Sequence, residues 1–295
     1  MYWAAVGVVF LLVQAWVFTR WALDGNVHAH PSGGYDMSAA RKVVTHAVQA
    51  GGVLWLSALA VLHWRESRAL GRVSLKAAGL AGLVTTVWLS PYASVFHYAG
   101  GHNRYGLNVE TWGPYLPFWQ GELPAIESLN MATAFVMFQI WTLIALGLYS
   151  WLLRRRPHWG RLRAAMVCTA SFLVIDPALN FVYVLLGGYA FPRGVSYFTL
   201  FEGSWYQLPL TSTLGVALLF VLPLMIMVAR AEEPGEIIVF KGSREMPRRA
   251  GNPVRLLAGV GLMNVCILAY QMLMLLSAEI GYTIDLPTWL ERPTT

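Results

Sequence analysis

Asp176 stands inside an otherwise apolar run, between Val174-Ile175 and Pro177. A carboxyl group near the middle of a membrane-length helix costs roughly 2.5–3.5 kcal/mol even on the milder scales, so it is expected to face other protein groups and to serve a purpose. Asn180 and Tyr183 follow at i+4 and i+7, on the same helical face. Pro177 removes a backbone donor and disfavours helix at the residue before it, which predicts a local break and a polar pocket at Asp176. Two roles fit such a group. It is a proton donor in a dry site, or a polar contact that locks two helices.

The other acids lie at the edges of apolar runs. Glu127 precedes the fourth run, with Asn130 three residues on, where it caps a helix N-terminus or meets a substrate. Glu122 has the same two readings. Glu202 opens Glu202-Gly203-Ser204-Trp205-Tyr206 at the mouth of the sixth run, and Glu279 closes the seventh. His97 is a candidate proton carrier beside Asp176, because its ordinary pKa lies near neutrality. Paired with His46 it would instead supply two axial ligands to a haem.

Several chemistries lack their residues. No lysine lies inside an apolar run, which argues against a Schiff base. No G-x-x-x-x-G-K-[ST] or G-x-G-x-x-G loop is present to cradle phosphates. The histidines are not clustered as in a di-iron oxygenase, and no aspartate-rich repeat is present to hold Mg²⁺. Acid, amide, histidine and aromatic side chains around an apolar cavity remain. That inventory suits acid–base chemistry on a lipophilic small molecule, with neither metal nor cofactor.

The elements that must position these groups follow from composition. Of 295 residues, 57% are hydrophobic and 12% charged. A soluble domain carries about 25% charged residues, so an ordinary water-soluble enzyme, a disordered chain and a coiled coil are all excluded. A helix needs about 20 apolar residues to cross the hydrocarbon layer. Seven stretches qualify: Tyr2–Leu23, Val43–Trp64, Ala77–Tyr98, Ser128–Leu153, Arg163–Tyr189, Tyr206–Arg230 and Arg255–Ala278. The expected fold is all-α, a polytopic bundle of seven transmembrane helices forming one domain over residues 1–295, multi-pass in the cell membrane with the lipid bilayer as its partner. Cys168 and Cys266 both fall inside apolar runs, so no disulfide framework is expected.

The net charge of +6 is a topology signal, not a nucleic-acid face. The loops after the second, fourth and sixth runs hold 15 of the 21 lysines and arginines. The positive-inside rule then puts the N-terminus in the cytoplasm, although Arg20, Arg41 and Lys42 weigh against it. The longer loops on the opposite side, Ala99–Glu127 and Phe191–Trp205, are rich in aromatics and are expected to form an interfacial belt and a lid. A weak echo links Ser90-Pro91 and Glu110-Thr111-Trp112 to Asp176-Pro177 and Glu202-Gly203-Ser204-Trp205. It reads as a parallel repeat or as chance in a biased composition.

Three segments resemble the AveC-like spirocyclase family of membrane proteins. They are Asn108-Val109-Glu110-Thr111-Trp112, then Asp176-Pro177 with Asn180, then Gly188-Tyr189-Ala190-Phe191 leading to Leu200-Phe201-Glu202-Gly203-Ser204-Trp205-Tyr206-Gln207-Leu208-Pro209-Leu210. The resemblance covers Ser90 to Leu210. The family pattern favours an aspartate before the proline of the third helix, where this chain has Ser90. The resemblance implies spiroketal formation from a dihydroxyketone polyketide, in some members coupled to dehydration. On that footing Asp176 is the expected general acid, with Glu202 or His97 as partner. Asn180, Asn108 and Tyr206 would position oxygens, Trp112 and Trp205 would line the pocket and flank a cation, and Glu127 joins the substrate contacts. A membrane terpene cyclase, a small-molecule carrier and a haem-binding electron carrier are the competing readings.

Overall fold

The computed structural model describes residues 1–30, 36–121 and 126–290, with Ala93 and residues 130–136 described by backbone alone. Seven helices follow in chain order: α1 (Tyr2–Leu23), α2 (Ala39–Leu70), α3 (Leu75–Val84), α4 (Leu129–Arg155), α5 (Arg161–Leu185), α6 (Leu210–Ala229) and α7 (Arg248–Glu279). Among the described residues five of them, α1, α2, α5, α6 and α7, are long and apolar enough to cross a membrane. That is compatible with a multi-pass membrane protein.

Of the seven expected spans, these five are found at full length among the described residues. The third apolar run is not one helix. After Val84 the Thr85 and Thr86 hydroxyls turn back onto the carbonyls of Gly82 (2.6 Å) and Leu83 (2.7 Å). The chain then continues as a 3₁₀ turn over Val87–Ser94, with Pro91 inside it. Hydroxyls that bond their own backbone compete with the helix ladder, and the proline withholds a donor. The fourth run does form a helix: α4 is 27 residues long and uncharged from Leu129 to Leu153.

The break expected at Asp176 is also absent. Helix α5 runs unbroken from Arg161 to Leu185 with Pro177 inside it. Packing and side-chain bonds to neighbouring helices can hold a membrane helix together through a proline. In α6 the backbone widens into a π turn over Val216–Val221, just before Pro223.

Helix α7 is the most buried of the five and packs against α1 and α3. The backbones meet so closely that a Cβ on Gly7 would fall 2.0 Å from the Leu257 carbonyl oxygen. One on Gly259 would fall 2.2 Å from the Ala78 carbonyl oxygen. Small residues at such crossings let helices associate by van der Waals contact where lipid offers no hydrophobic contrast.

One end of the bundle carries the lid expected from the aromatic loops. Four antiparallel ladders build it. β1 (Gly101–His102) pairs with β4 (Tyr189–Ala190), and β2 (Asn108–Glu110) with β3 (Ile126–Ser128). β5 (Arg193–Gly194) pairs with β8 (Tyr282–Thr283), and β6 (Thr199–Leu200) with β7 (Leu208–Pro209). The β1–β4 ladder ties the α3–α4 loop to the α5–α6 loop. Arg41, which counted against the charge rule, is used here: its guanidinium lies 5.0 Å from the Trp205 ring and 4.7 Å from the Trp289 ring.

Candidate active site

The β2–β3 ladder builds the site. Its register sets Val109 opposite Glu127. Glu127 is therefore a strand residue, 3% exposed, ahead of α4. Its carboxylate accepts from the Ser90 hydroxyl and, at 3.1 Å, from the Thr111 hydroxyl. Ser90 comes from the 3₁₀ turn that replaced the end of the third run, so the break in that run is what presents it.

Glu127 borders a cavity of about 460 Å³, a size typical of small-molecule sites. Ser90, Asn108, Trp112 and Glu127 are among its walls, and Val27, Val87, Leu107 and Val109 make the rest largely apolar. Asn108 is 2% exposed, and its amide nitrogen donates to the Asn103 carbonyl at 3.0 Å. Its side-chain oxygen is buried and has no hydrogen-bond partner among the described residues. A buried acceptor without a donor is costly, which makes it a natural seat for a substrate hydroxyl. Trp112 is fixed by a bond from its ring nitrogen to the Trp88 carbonyl at 2.9 Å, and it meets Phe18 and Trp21 edge-on.

Two further histidines, His28 and His30, lie beside Glu110 of strand β2. The segment after α1 lies against β2: Ala29 bridges to Val109, and the His30 backbone N–H donates to the Asn108 carbonyl at 2.8 Å. His30 Nδ1 meets the Glu110 carboxylate at 2.7 Å, and His28 Nε2 lies 3.6 Å from the same oxygen. His28 also lines the cavity. Nothing in the local sequence of His28 and His30 announces Glu110, which lies about 80 residues away.

Asp176 sits elsewhere and is fully buried. One carboxylate oxygen accepts from the Thr213 hydroxyl of α6 at 2.7 Å, the other from the Asn180 amide at 3.1 Å. The Tyr189 hydroxyl donates to the Asn180 side-chain oxygen. Burial, together with Tyr270, Asp176 and Tyr183 nearby, holds the Tyr189 phenol well above the usual tyrosine range, so it stays a donor. These side chains bond one another, and Asp176 borders none of the three described cavities.

The structure joins neither suggested partner to Asp176. His97 pairs with the Glu279 carboxylate at the end of α7. Glu202 is exposed and accepts from the Tyr197 backbone N–H of its own loop at 3.2 Å. Trp205 and Tyr206 are half-buried and pack edge-on with ring centres 5.5 Å apart, in the lid and away from the walls of the Glu127 cavity. Glu122 and the Asn130 side chain lie outside the described residues. Among those residues no group of three or more His, Cys, Asp or Glu side chains is placed to hold a metal ion.

A family model described as spirocyclase AveC-like matches residues 71–291. The chain belongs to that family. Neither a curated protein nor a solved structure matches it. Membership in the AveC-like family supports a cyclase role in polyketide biosynthesis. The matched stretch takes in the whole Ser90–Thr111–Glu127 cluster and the Asp176 network, and it begins after α1 and α2.

Proposed function

We propose that this chain closes the spiroketal of a lipophilic dihydroxyketone in the Glu127 cavity, by acid–base catalysis that uses no cofactor. One observation carries the reading. A buried carboxyl group and an unpaired amide oxygen, Glu127 and Asn108, share one largely apolar cavity.

One substrate hydroxyl first adds to the ketone to give a hemiketal. Glu127 in its acid form then passes its proton to the hemiketal hydroxyl, which departs as water and leaves an oxocarbenium ion. The resulting carboxylate, steadied by the Ser90 and Thr111 hydroxyls, lies beside that cation. The second hydroxyl attacks the cationic carbon and returns its proton to Glu127. The enzyme ends as it began and one water is lost. Asn108 Oδ1 accepts from a substrate hydroxyl and so orients it, and the Trp112 face shields the cation.

On this reading Asp176 locks α5 to α6 through Thr213, and Glu127 takes the acid's role. The charge bias puts the N-terminus in the cytoplasm and the cavity toward the outer leaflet, so the substrate enters laterally from the bilayer of the cell membrane.

The test is product analysis with a ketodiol substrate on membranes bearing wild type, Glu127→Gln or Asp176→Asn. Acid–base assistance is worth about 10²–10⁴-fold, and a loss of that order is expected for Glu127→Gln. Asp176→Asn should retain most of the rate per folded molecule. Full activity in Glu127→Gln overturns the assignment.

A further inference from the structure

The end of the bundle opposite the lid carries a second cavity, of about 340 Å³. It lies where the C-terminal end of α2 (Leu70, Gly71) meets the N-terminal end of α7 (Arg248, Gly251, Asn252, Arg255). Four arginines line it: Arg72, Arg244, Arg248 and Arg255.

Their charges are only half answered. Glu236 is shared, with one oxygen 3.1 Å from Arg72 Nη1 and the other 2.9 Å from Arg255 Nη1. Glu233 pairs with Arg244. Arg248 has no ion-pair or hydrogen-bond partner among the described residues. Four guanidinium groups against two carboxylates leave two positive charges unopposed. Glu232 and Glu245, like Glu233 and Glu236, line the neighbouring cavity, which shares Arg244 with this one, but neither Glu232 nor Glu245 is paired with an arginine of this cavity.

Two of the donors, Arg255 and Asn252, are held in place. Arg255 is 3% exposed, and its Nε donates to the Val73 carbonyl at 2.8 Å. The Arg248 guanidinium lies over the Gly71 backbone, where φ is +64° and a Cβ would come within 2.8 Å of its central carbon. Asn252 uses its oxygen to accept from the Val73 N–H at 2.9 Å, which leaves its amide donors without an internal acceptor among the described residues. The positive end of the α7 dipole adds to the field.

Clustered guanidinium groups with surplus charge match the oxygens of a phosphate group. We propose that this cavity binds a phosphate-bearing anion, held by Arg248, Arg244 and Asn252 over the Arg255–Glu236 pair. The ligand is either the phosphodiester of an anionic lipid headgroup at the basic face of the membrane or a soluble phosphate compound. The inference does not depend on the reading of the Glu127 cavity.

The test uses the full chain purified in neutral detergent and in nanodiscs. In detergent, the melting midpoint is followed against inorganic phosphate, with sodium chloride at matched ionic strength as reference. In nanodiscs, phosphatidylcholine with and without phosphatidylglycerol is compared. A specific rise with phosphate supports a soluble ligand, and a rise confined to phosphatidylglycerol supports a headgroup. Arg248→Gln should weaken the half-saturating concentration about tenfold, as expected for one charged hydrogen bond. Arg249→Gln, which removes the same charge outside the cavity, should leave it unchanged. If Arg248→Gln does not fold, Arg244→Gln, on an exposed side chain, is read in its place. No rise in either medium, or equal loss in the Arg248 or Arg244 variant and in the Arg249 variant, overturns the proposal.

Discussion

Ser90 donates its hydroxyl to the Glu127 carboxylate across 37 residues of sequence. The contact joins the 3₁₀ turn after α3 to strand β3 and sets the acid at the wall of the apolar cavity. Ser90 is thus a direct neighbour of a buried carboxyl group.

The two hydroxyls on Glu127 should matter to rate more than to folding. Ser90→Ala and Thr111→Val each remove one donor to a carboxylate. Hydrogen bonds to charged groups contribute about 1.5–3 kcal/mol, so each variant should turn over roughly ten times more slowly or worse. Initial rates, normalised to the folded fraction, check this. Rates equal to wild type in both variants would remove Ser90 and Thr111 from the chemistry.

Asp176→Asn should act on stability instead. The new amide would point a donor at either the Asn180 amide or the Thr213 hydroxyl, both of which now donate to the carboxylate. Leaving a buried donor without an acceptor costs about 1–3 kcal/mol. The melting midpoint in detergent should fall accordingly, and an unchanged midpoint would show that the network holds nothing together.

The α3–α7 crossing should not tolerate a methyl group. In Gly259→Ala the new Cβ would collide with the Ala78 carbonyl oxygen unless the helices move apart. Overpacking of this kind costs about 1–3 kcal/mol. Gly51→Ala in α2 meets nothing within 4 Å and should be neutral or stabilising by roughly 0.5–1 kcal/mol. Parallel thermal melts of the two variants give the comparison.

The lid should lose stability in acid through His102. Burial pushes its imidazole down to about 4, against an opposing hydrogen bond to the Ile126 carbonyl. Unfolded, the ring takes up a proton near its ordinary value of 6.5, whereas the folded ring stays neutral. Its contribution is fully present above that pH and is lost as pH falls toward 4. Its size is roughly 3 kcal/mol, from the linkage of pKa to stability. His102→Asn keeps a donor near the Ile126 carbonyl and removes the titration. The pH dependence of the midpoint between 6.5 and 4 should flatten in that variant, and an unaltered slope would place the acid sensitivity elsewhere.

Much of the frame is legible in the sequence. Hydrophobic length is a local property, so α1, α2, α4, α5, α6 and α7 can be read from runs of apolar residues, and the lid from its aromatic loops. The motifs around Asn108–Trp112 and Asp176–Asn180 carried the family. Apolar length does not report that Thr85 and Thr86 turn back on the helix, or that the chain goes on as a 3₁₀ turn with Pro91 inside it, so the third run is not one helix. The break expected at Pro177 does not occur, because neighbouring helices can hold a helix that its own backbone would not.

The site depended on contacts that no local pattern carries. A carboxylate buried in an apolar run is costly, yet the sequence around Asp176 cannot say whether Thr213 and Asn180 satisfy it or a cavity opens on it. Nor can it say that His97 turns to Glu279, or that Glu127 meets Ser90 and Thr111. The sequence determined which segments are apolar, which loops are basic and which few polar groups are left over. Only the register of β2 on β3 and the turn after α3 decided which of those groups share a cavity, because that pairing depends on the summed packing of segments far apart in the chain.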